Sequence, residues 1–198
     1  MELMDTNAVK LAGTIATPPA FSHEAHGHDF YTCMLAVRRL SGSEDILRIQ
    51  VPEMRRRELV AGERVALSGH MRSYNNRSGT GSRLVLSVLL REWGTPTGED
   101  INDLRLTGTL CKPPIYRKTP LGREISDLLV AVSRGRGRSD YMPCICWGAA
   151  ARRAAEFKTG DRVELPGRVQ SREYTKLEDG AEVKKTAYEI SAAEIFAI

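Results

Sequence analysis

The fold is decided by the nine residues NDLRLTGTL at 102–110, because a near copy, NAVKLAGTI, occupies 7–15. In both stretches aliphatic residues and glycine alternate with polar or small residues, which is the pattern of a half-buried β-strand. Proline pairs at 18–19 and 113–114 keep the same offset of 95 positions. A repeat at one fixed offset predicts two copies of one structural unit in the chain.

The repeat continues through the later strand signals. Residues 35–37 (LAV) match 130–132 (VAV) at the offset of 95, whereas GERVALSG at 62–69 matches GDRVELPG at 160–167 at an offset of 98. The second copy has therefore gained three residues between these points. Glycines inside such strands favour a bend at the corner of a small barrel.

A helical stretch separates the third and fourth strands of each copy. It is alanine-rich at 149–157 and shorter, at 53–59, in the first copy. Five strands with a helix between the third and fourth is the order of an OB-fold. The sequence predicts an all-β protein of two tandem OB-fold five-stranded barrels, each with a short helix between strands three and four. The predicted domains are 1–94 and 102–198, with a turn-rich linker at 95–101.

Composition excludes several classes of protein. Of 198 residues, 41% are hydrophobic and 27% are charged, which excludes a chain disordered by composition. No apolar run approaches the ~18–20 residues that span a bilayer. The N-terminus also lacks the basic region of a secretory signal, so we expect a cytoplasmic protein with no membrane partner. A net charge of +4 mildly favours a polyanionic partner.

No motif for a metal, a cofactor or catalysis is present in the sequence. The four cysteines, Cys33, Cys111, Cys144 and Cys146, lack zinc-ligand spacing and are expected to be free thiols. Cys33, Cys144 and Cys146 lie in apolar runs and are expected to be buried. The segment HEAHGH at 23–28 does not match the helical zinc motif, and an exposed loop is favoured there over a metal site. We therefore predict that the protein is not an enzyme and needs no cofactor or metal.

The second copy, residues 102–198, resembles the bacterial single-stranded DNA-binding protein family. Five segments carry the resemblance: LTGTL at 106–110, TPLG at 119–122, LVAV at 129–132, DYMPCICWG at 140–148 and GDRVELPGRVQSREY at 160–174. The resemblance implies sequence-nonspecific binding of single-stranded DNA in replication, repair or recombination, and a nucleoid-associated location. It also implies replication or repair proteins as partners, although this sequence shows no counterpart of the family's acidic C-terminal tail.

The family binds DNA with aromatic and basic residues on one face of its sheet. The resemblance places this role on Tyr141, Trp147, Tyr174, Arg168 and Arg172. Strand alternation agrees, because Tyr141 and Trp147 share one parity on the third strand. Bases stacked on such rings gain ~1–3 kcal/mol each without sequence preference. The alternative for both rings is packing in the core.

Two basic segments flank this face. Arg134, Arg136 and Arg138 alternate with glycine in the predicted loop between strands two and three, where they are expected to form a mobile phosphate clamp. The alternative is a solvated surface loop. The hairpin between strands four and five carries Lys176, Lys184 and Lys185 among acidic residues, so a solvated hairpin is equally favoured there.

The first copy departs from the family pattern. Ile46, Pro52 and Asn76 stand where the second copy has Tyr141, Trp147 and Tyr174. The residues that remain near the equivalent face are Arg48, Arg72, Tyr74 and Arg77. The first copy is therefore predicted to bind DNA weakly, or to position and dimerise the second.

The resemblance also bears on how the chain assembles, and two hypotheses remain for its function. Family members commonly place four OB domains around one DNA path, which implies a homodimer for a chain with two domains. The fifth strand of the first copy, at 83–91, is apolar on both faces, which suggests cover by another domain or subunit. The alternative to a DNA-binding protein is a primosome-type OB-fold adaptor that acts mainly through protein–protein contacts.

Overall fold

The computed structural model describes residues 5–76, 84–96, 98–178 and 180–198, which are mostly β-structure. Arg77, assigned above to the face of the first copy, lies outside these residues. The strands in chain order are β1 (Asn7–Ala25), β2 (His28–Arg38), β3 (Glu44–Pro52), β4 (Arg64–Asn75), β5 (Leu84–Gly94), β6 (Ile101–Leu110), β7 (Ile115–Lys118), β8 (Glu124–Gly135), β9 (Arg138–Trp147), β10 (Arg162–Glu178), β11 (Ala181–Ala192) and β12 (Phe196–Ala197). One helix, α1, spans Ala149–Ala154 within the residues just given.

The chain divides into two compact units. Unit 1 comprises Met1–Val9, Asp103–Val169 and Glu189–Ile198. Unit 2 comprises Lys10–Asn102 and Gln170–Tyr188. Each unit therefore takes a short segment from the far side of the linker predicted at 95–101.

Unit 1 contains a closed five-stranded barrel. Its strand order is β10-β11-β9-β8-β6, and β6 pairs in turn with β10. The β9–β11 pairing is parallel, while β8 pairs antiparallel with both β6 and β9. The interior is filled by side chains with at most 1% of their surface exposed, among them Leu104, Leu106, Leu110, Met142 and Val163.

Unit 2 has the strand order β1-β2-β3-β5-β4, with a further pairing between β1 and β4. Here the parallel pair is β3 with β5, and β2 pairs antiparallel with β3 over nine residues. The core again comes from alternate strand positions: Leu11, Leu35, Leu47, Ile49, Met71 and Val88. On β5, Leu86, Val88 and Leu90 are buried, whereas Val85 and Leu89 are not.

The strand glycines mark close approaches between neighbouring strands. A Cβ atom on Gly13 would lie 2.2 Å from the carbonyl oxygen of Ala36. At the position 95 residues later, a Cβ atom on Gly108 would lie 2.5 Å from the carbonyl oxygen of Ala131. Both distances are shorter than any real Cβ contact, so these positions admit only glycine unless the backbone moves.

The two helical stretches differ between the units. In unit 1, α1 packs on β8, where the Ser126 hydroxyl donates a 2.7 Å hydrogen bond to the Ala151 carbonyl. In unit 2 the predicted short helix at 53–59 is wrong, because only a 3₁₀ turn forms at Glu53–Arg55 and Arg56 is already extended (φ −63°, ψ 135°). Leu59 is the only buried side chain from 53 to 59, so the segment lacks the apolar face that would hold a helix against the barrel.

The cysteines behave as expected for buried thiols. Cys33, Cys144 and Cys146 are buried, Cys111 is half-buried, and all four are free of disulfides. Burial raises the pKa of Cys33 to about 11 and that of Cys146 to about 12. No helix among the described residues is long and apolar enough to cross a membrane.

Candidate nucleic-acid interface

The outer face of β9 in unit 1 presents two aromatic rings. Tyr141 is 51% exposed and Trp147 is 38% exposed. Met142, Cys144 and Cys146 alternate with them and point into the barrel. The structure therefore places both rings on the surface, as strand parity predicted, and not in the core. Ile145, which shares their parity, is buried.

The β8–β9 connection at 134–138 is a tight hairpin turn, and the mobile phosphate clamp predicted there stays a prediction. Strand pairing continues to Gly135 and Arg138, and Gly135, Arg136 and Gly137 all have positive φ. Arg136 and Arg138 are exposed and form no ion pair with the described residues. These two guanidinium groups can therefore donate hydrogen bonds to a phosphate without first breaking a salt bridge.

Arg134 is held differently from its two neighbours. Its Nε lies 3.2 Å from an Oδ2 of Asp140, a carboxylate with no exposed surface. A buried carboxylate needs a cationic or hydrogen-bonding partner, so this contact stabilises the barrel. The structure therefore gives Arg134 a role in the fold, while its predicted contact with DNA stays a prediction.

The same pair recurs 95 residues earlier, in unit 2. Arg39 donates from Nε and Nη2 to the two carboxylate oxygens of Asp45, at 2.8 and 2.5 Å. Asp45 is fully buried and also accepts a 2.8 Å hydrogen bond from the backbone N–H of Ser171. The Ser171 hydroxyl accepts from the backbone N–H of Ile46 at 2.9 Å. These bonds join the start of the 170–188 segment to β3 within unit 2.

The remaining predicted residues of β10 fall in both units. In unit 1, Arg168 is half-buried and alternates with the buried Val169. In unit 2, Arg172 is exposed, and its guanidinium carbon lies 5.7 Å from the ring centre of Tyr174. Arg172 and Tyr174 thus form one cation–ring pair, an arrangement in which a base can stack while a phosphate meets the guanidinium.

Arg48 and Tyr74 line one cavity of about 380 Å³ in unit 2. Lys185 and Tyr188 of β11 line the same cavity. Burial raises the pKa of Tyr188, while the nearby positive charge of Arg48 acts in the opposite direction. The cavity thus combines two cations with two phenol rings. Arg72, also assigned to this face, is half-buried and donates from Nη1 to the Met71 carbonyl at 3.2 Å.

Sequence reasoning missed Tyr188 and left Lys185 equally divided between a phosphate contact and a solvated hairpin. No local pattern marks either residue, because Arg48 and Tyr74 approach them from more than 100 positions away. Lys185 is only 17% exposed and forms an ion pair with Glu178, which also contacts Lys176. Hydrogen bonds from Lys185 and then Lys176 lower the pKa of Glu178. Part of the basic charge of this hairpin is therefore balanced within it.

Comparison with known proteins centres on the second copy. The model of the single-strand binding protein family matches residues 101–197. Single-stranded DNA-binding protein B of Bacillus subtilis is 33% identical over 92 residues, which cover 43% of this chain and 80% of that protein. Single-stranded DNA-binding protein 1 of Lactococcus lactis is 32% identical over 81 residues, which cover 37% of this chain and 54% of that protein. The chain spans about half the length of this relative and of two others.

A solved structure matches almost the whole chain. The wild-type single-stranded DNA binding protein from Thermus aquaticus superposes with a TM-score of 0.78 and covers 99% of this chain and 94% of its own. The two sequences are 20% identical. At that identity the likeness concerns the fold, and it includes the first copy, which the family model does not reach.

Proposed function

Because the chain belongs to the single-strand binding protein family, we propose that it binds single-stranded DNA without sequence specificity. The observation that carries the proposal is the pair of exposed rings on β9, Tyr141 and Trp147, within the segment that the family model matches. Single-stranded bases expose their faces for stacking, whereas duplex bases do not, so this surface selects the single strand.

Cations on each unit supply the second part of the binding energy. Arg136 and Arg138 on unit 1, and Arg172 and Arg48 on unit 2, offer guanidinium groups to the phosphates. Each phosphate contact releases counterions, so affinity falls as salt concentration rises, with a slope of about −0.7 per contact for a single strand. The mechanism needs no bond making or breaking, and the protein acts as a binder in replication, repair or recombination.

The architecture proposed for this function is a tandem of two OB-fold domains, 1–94 and 102–198, with a linker at 95–101. The repeat at offsets of 95 and 98, and a strand order in unit 2 that matches that of unit 1, support this interpretation. Two chains then provide four OB-fold domains as a cytoplasmic homodimer. Between the third and fourth strands lies α1 in the second domain and only a 3₁₀ turn in the first.

A primosome-type adaptor is the less favoured function. It predicts little intrinsic affinity for DNA and a stable protein partner. The relatives that match the second copy are named for binding single-stranded DNA, and the rings on β9 are exposed as that activity requires.

A fluorescence titration with poly(dT) at two salt concentrations tests the proposal. In a Trp93→Phe background Trp147 is the only tryptophan, and we expect poly(dT) to quench it because a base stacks on the indole. Replacing Tyr141, Trp147 and Tyr174 by alanine together should weaken binding about a hundredfold or more, since each stacked base is worth ~1–3 kcal/mol. This variant is measured by fluorescence anisotropy of a labelled dT oligonucleotide.

Phe196→Ala is the matched control, because Phe196 on β12 is 39% exposed, as Trp147 is on β9. This variant should keep the wild-type affinity. Equal affinity for duplex and single-stranded DNA would contradict the proposal, and so would unchanged binding by the triple variant. A wild-type protein that fails to bind poly(dT) but retains a protein partner would favour the adaptor.

A further inference from the structure

The hairpin of β10 and β11 continues past the strand pairing that builds the barrel of unit 1. β10 pairs with β6 as far as Gly167, and β11 pairs with β9 from Ile190. The stretch between them, Gln170–Tyr188, belongs to unit 2. A two-stranded hairpin has little stability of its own in water, so the position of this stretch depends on what it packs against.

Ser171 is bonded to residues of the first copy through all three of its polar groups. Its backbone N–H donates to Oδ1 of Asp45 at 2.8 Å, and its hydroxyl accepts from the backbone N–H of Ile46 at 2.9 Å. Its carbonyl oxygen accepts from Nη2 of Arg39 at 3.2 Å. Asp45 is fully buried and is itself bonded to Arg39, so these contacts hold Ser171 against the start of β3.

The return strand of the hairpin meets the same part of unit 2. Lys185 and Tyr188 of β11 line the cavity of about 380 Å³ that Arg48 of β3 and Tyr74 of β4 also line. Arg48 lies two positions after Ile46 on β3. Both strands of the hairpin are therefore placed by neighbouring positions of one strand of the first copy.

The cation–ring pair of this hairpin begins at the residue after Ser171. Arg172 is exposed, and its guanidinium carbon lies 5.7 Å from the ring centre of Tyr174. Side chains alternate along a strand, so Arg172 and Tyr174 share one side of β10 and Ser171 lies on the other. The side that is bonded to β3 is therefore opposite the side that carries the guanidinium and the ring.

We propose that Asp45 is a positioning residue for DNA binding, which acts through Ser171 to hold the hairpin with Arg172 and Tyr174 turned outward. The inference rests on the proposed function. It gives the first copy a part in binding that needs no stacking ring on β3. Side chains already held in their bound position lose less conformational freedom when DNA binds, so affinity rises without a new contact to the DNA.

Asp45→Asn tests the inference in the full-length chain, with affinity for a labelled dT oligonucleotide measured by fluorescence anisotropy. It should weaken binding about fivefold or more, because a misplaced Tyr174 loses its stacked base. The loss should not exceed that of a chain with Arg172→Gln and Tyr174→Ala, which lacks the positioned groups altogether. Glu44→Gln is the matched control, since it removes the same charge at the next position, where the carboxylate is about half exposed; it should keep the wild-type affinity.

A double-mutant cycle separates positioning from a general loss of stability. In a chain that already carries Arg172→Gln and Tyr174→Ala, Asp45→Asn should cause no further loss of affinity, because the groups that it positions are gone. An equal fold-loss in both backgrounds would overturn the inference, since Asp45 would then act on the fold as a whole.

Ser171→Ala serves the same purpose if Asp45→Asn does not fold, as judged by its thermal transition. It removes only the hydroxyl that accepts from Ile46 and leaves the pair of Asp45 with Arg39 in place. Its loss of affinity should be smaller than that of Asp45→Asn and should also disappear in the chain without Arg172 and Tyr174. Ser171→Thr keeps the hydroxyl and should bind as wild type does. Equal affinity for Ser171→Ala and Ser171→Thr would count against the inference.

The hold on the hairpin can also be measured without DNA. Tyr174→Trp in a chain with Trp93→Phe and Trp147→Phe places the only tryptophan on the hairpin. Asp45→Asn should lower the fluorescence anisotropy of this tryptophan, because a hairpin released from β3 moves more freely, and Glu44→Gln should not. Unchanged anisotropy contradicts the positioning role alone, even in a chain that binds poly(dT). A wild-type chain that does not bind poly(dT) contradicts the proposed function, whatever the anisotropy.

Discussion

Asp45 and Asp140 are residues of the repeat that stabilise the fold beneath a surface proposed to bind DNA. Both carboxylates are fully buried, and each meets an arginine six positions earlier, Arg39 or Arg134. The match between the two aspartates is visible in the sequence repeat. Their pairing with the arginines is not visible there, because a sequence shows that Arg134 is charged but not that it forms an ion pair with Asp140. Arg134 was therefore predicted as a phosphate contact, with a solvated loop as the alternative, and its ion pair with Asp140 was not predicted.

The Asp45 contact predicts a large loss of stability on a small chemical change. Asp45→Asn keeps the shape but removes the charge that Arg39 and the Ser171 amide meet, so unit 2 should lose about 3 kcal/mol of unfolding free energy. This is the lower end for a buried pair, since the Arg39 side chain is 25% exposed. Urea unfolding followed by Trp93 fluorescence in a Trp147→Phe background measures it.

The neighbouring Glu44 provides the control for this prediction. Its contact with Arg38 spans 3.7 Å, and both side chains are about half exposed or more. Glu44→Gln should therefore cost less than about 1 kcal/mol. Equal losses for the two variants would mean that the burial of Asp45 adds nothing to its pairing.

At the scale of the element, strand parity correctly predicted which side chains are exposed, whereas turn and hairpin lengths were predicted poorly. Alternation correctly put Tyr141 and Trp147 on the surface of β9, because a strand inside a closed barrel has only two faces. The length of a hairpin depends on contacts with distant strands, so the extension of β8 to Gly135 and the short strand β7 were not predicted. The helix at 53–59 failed because apolar side chains, and not propensity, determine whether so short a helix forms.

The close approach at Gly13 yields a prediction for β1. In Gly13→Ala the new methyl group would lie 2.2 Å from the Ala36 carbonyl oxygen, so β1 and β2 must separate. The expected loss of unfolding free energy is about 1–3 kcal/mol, measured by the Trp93 urea transition. Gly98→Ala is the control, because Gly98 has open space around it and no positive φ, and it should change stability by less than about 0.5 kcal/mol. Similar losses for both would contradict the steric explanation, because Gly→Ala at an unstrained site restricts the unfolded chain and does not destabilise the fold.

At the scale of the whole molecule, the repeat makes the chain a pair of related but unequal units. The repeat was legible in sequence because strand and turn residues recur at fixed offsets. The sequence did not predict that Gln170–Tyr188 belongs to unit 2. That assignment depends on long-range contacts, such as the one between Ser171 and Asp45, which no local sequence pattern indicates. The cavity with Arg48, Tyr74 and Lys185 follows from the same assignment.

The proposed homodimer predicts a mass in solution. Light scattering coupled to size exclusion should give about 44 kDa, twice the 22.0 kDa of one chain, because the proposed assembly contains two chains. A mass near 22 kDa over the whole range of protein concentrations would contradict the dimer.

The division of unit 2 between two stretches of chain sets the order in which this protein can fold as it leaves the ribosome. Lys10–Asn102 emerges first, but its compact unit also includes Gln170–Tyr188. Until that later stretch is synthesised, the buried Asp45 has Arg39 but lacks the Ser171 amide, and β3 lacks the hydroxyl that accepts from Ile46. Residues 10–102 therefore lack these stabilising hydrogen bonds until residues 170–188 have been synthesised. A pause in translation between the two stretches would prolong the time for which unit 2 is incompletely folded.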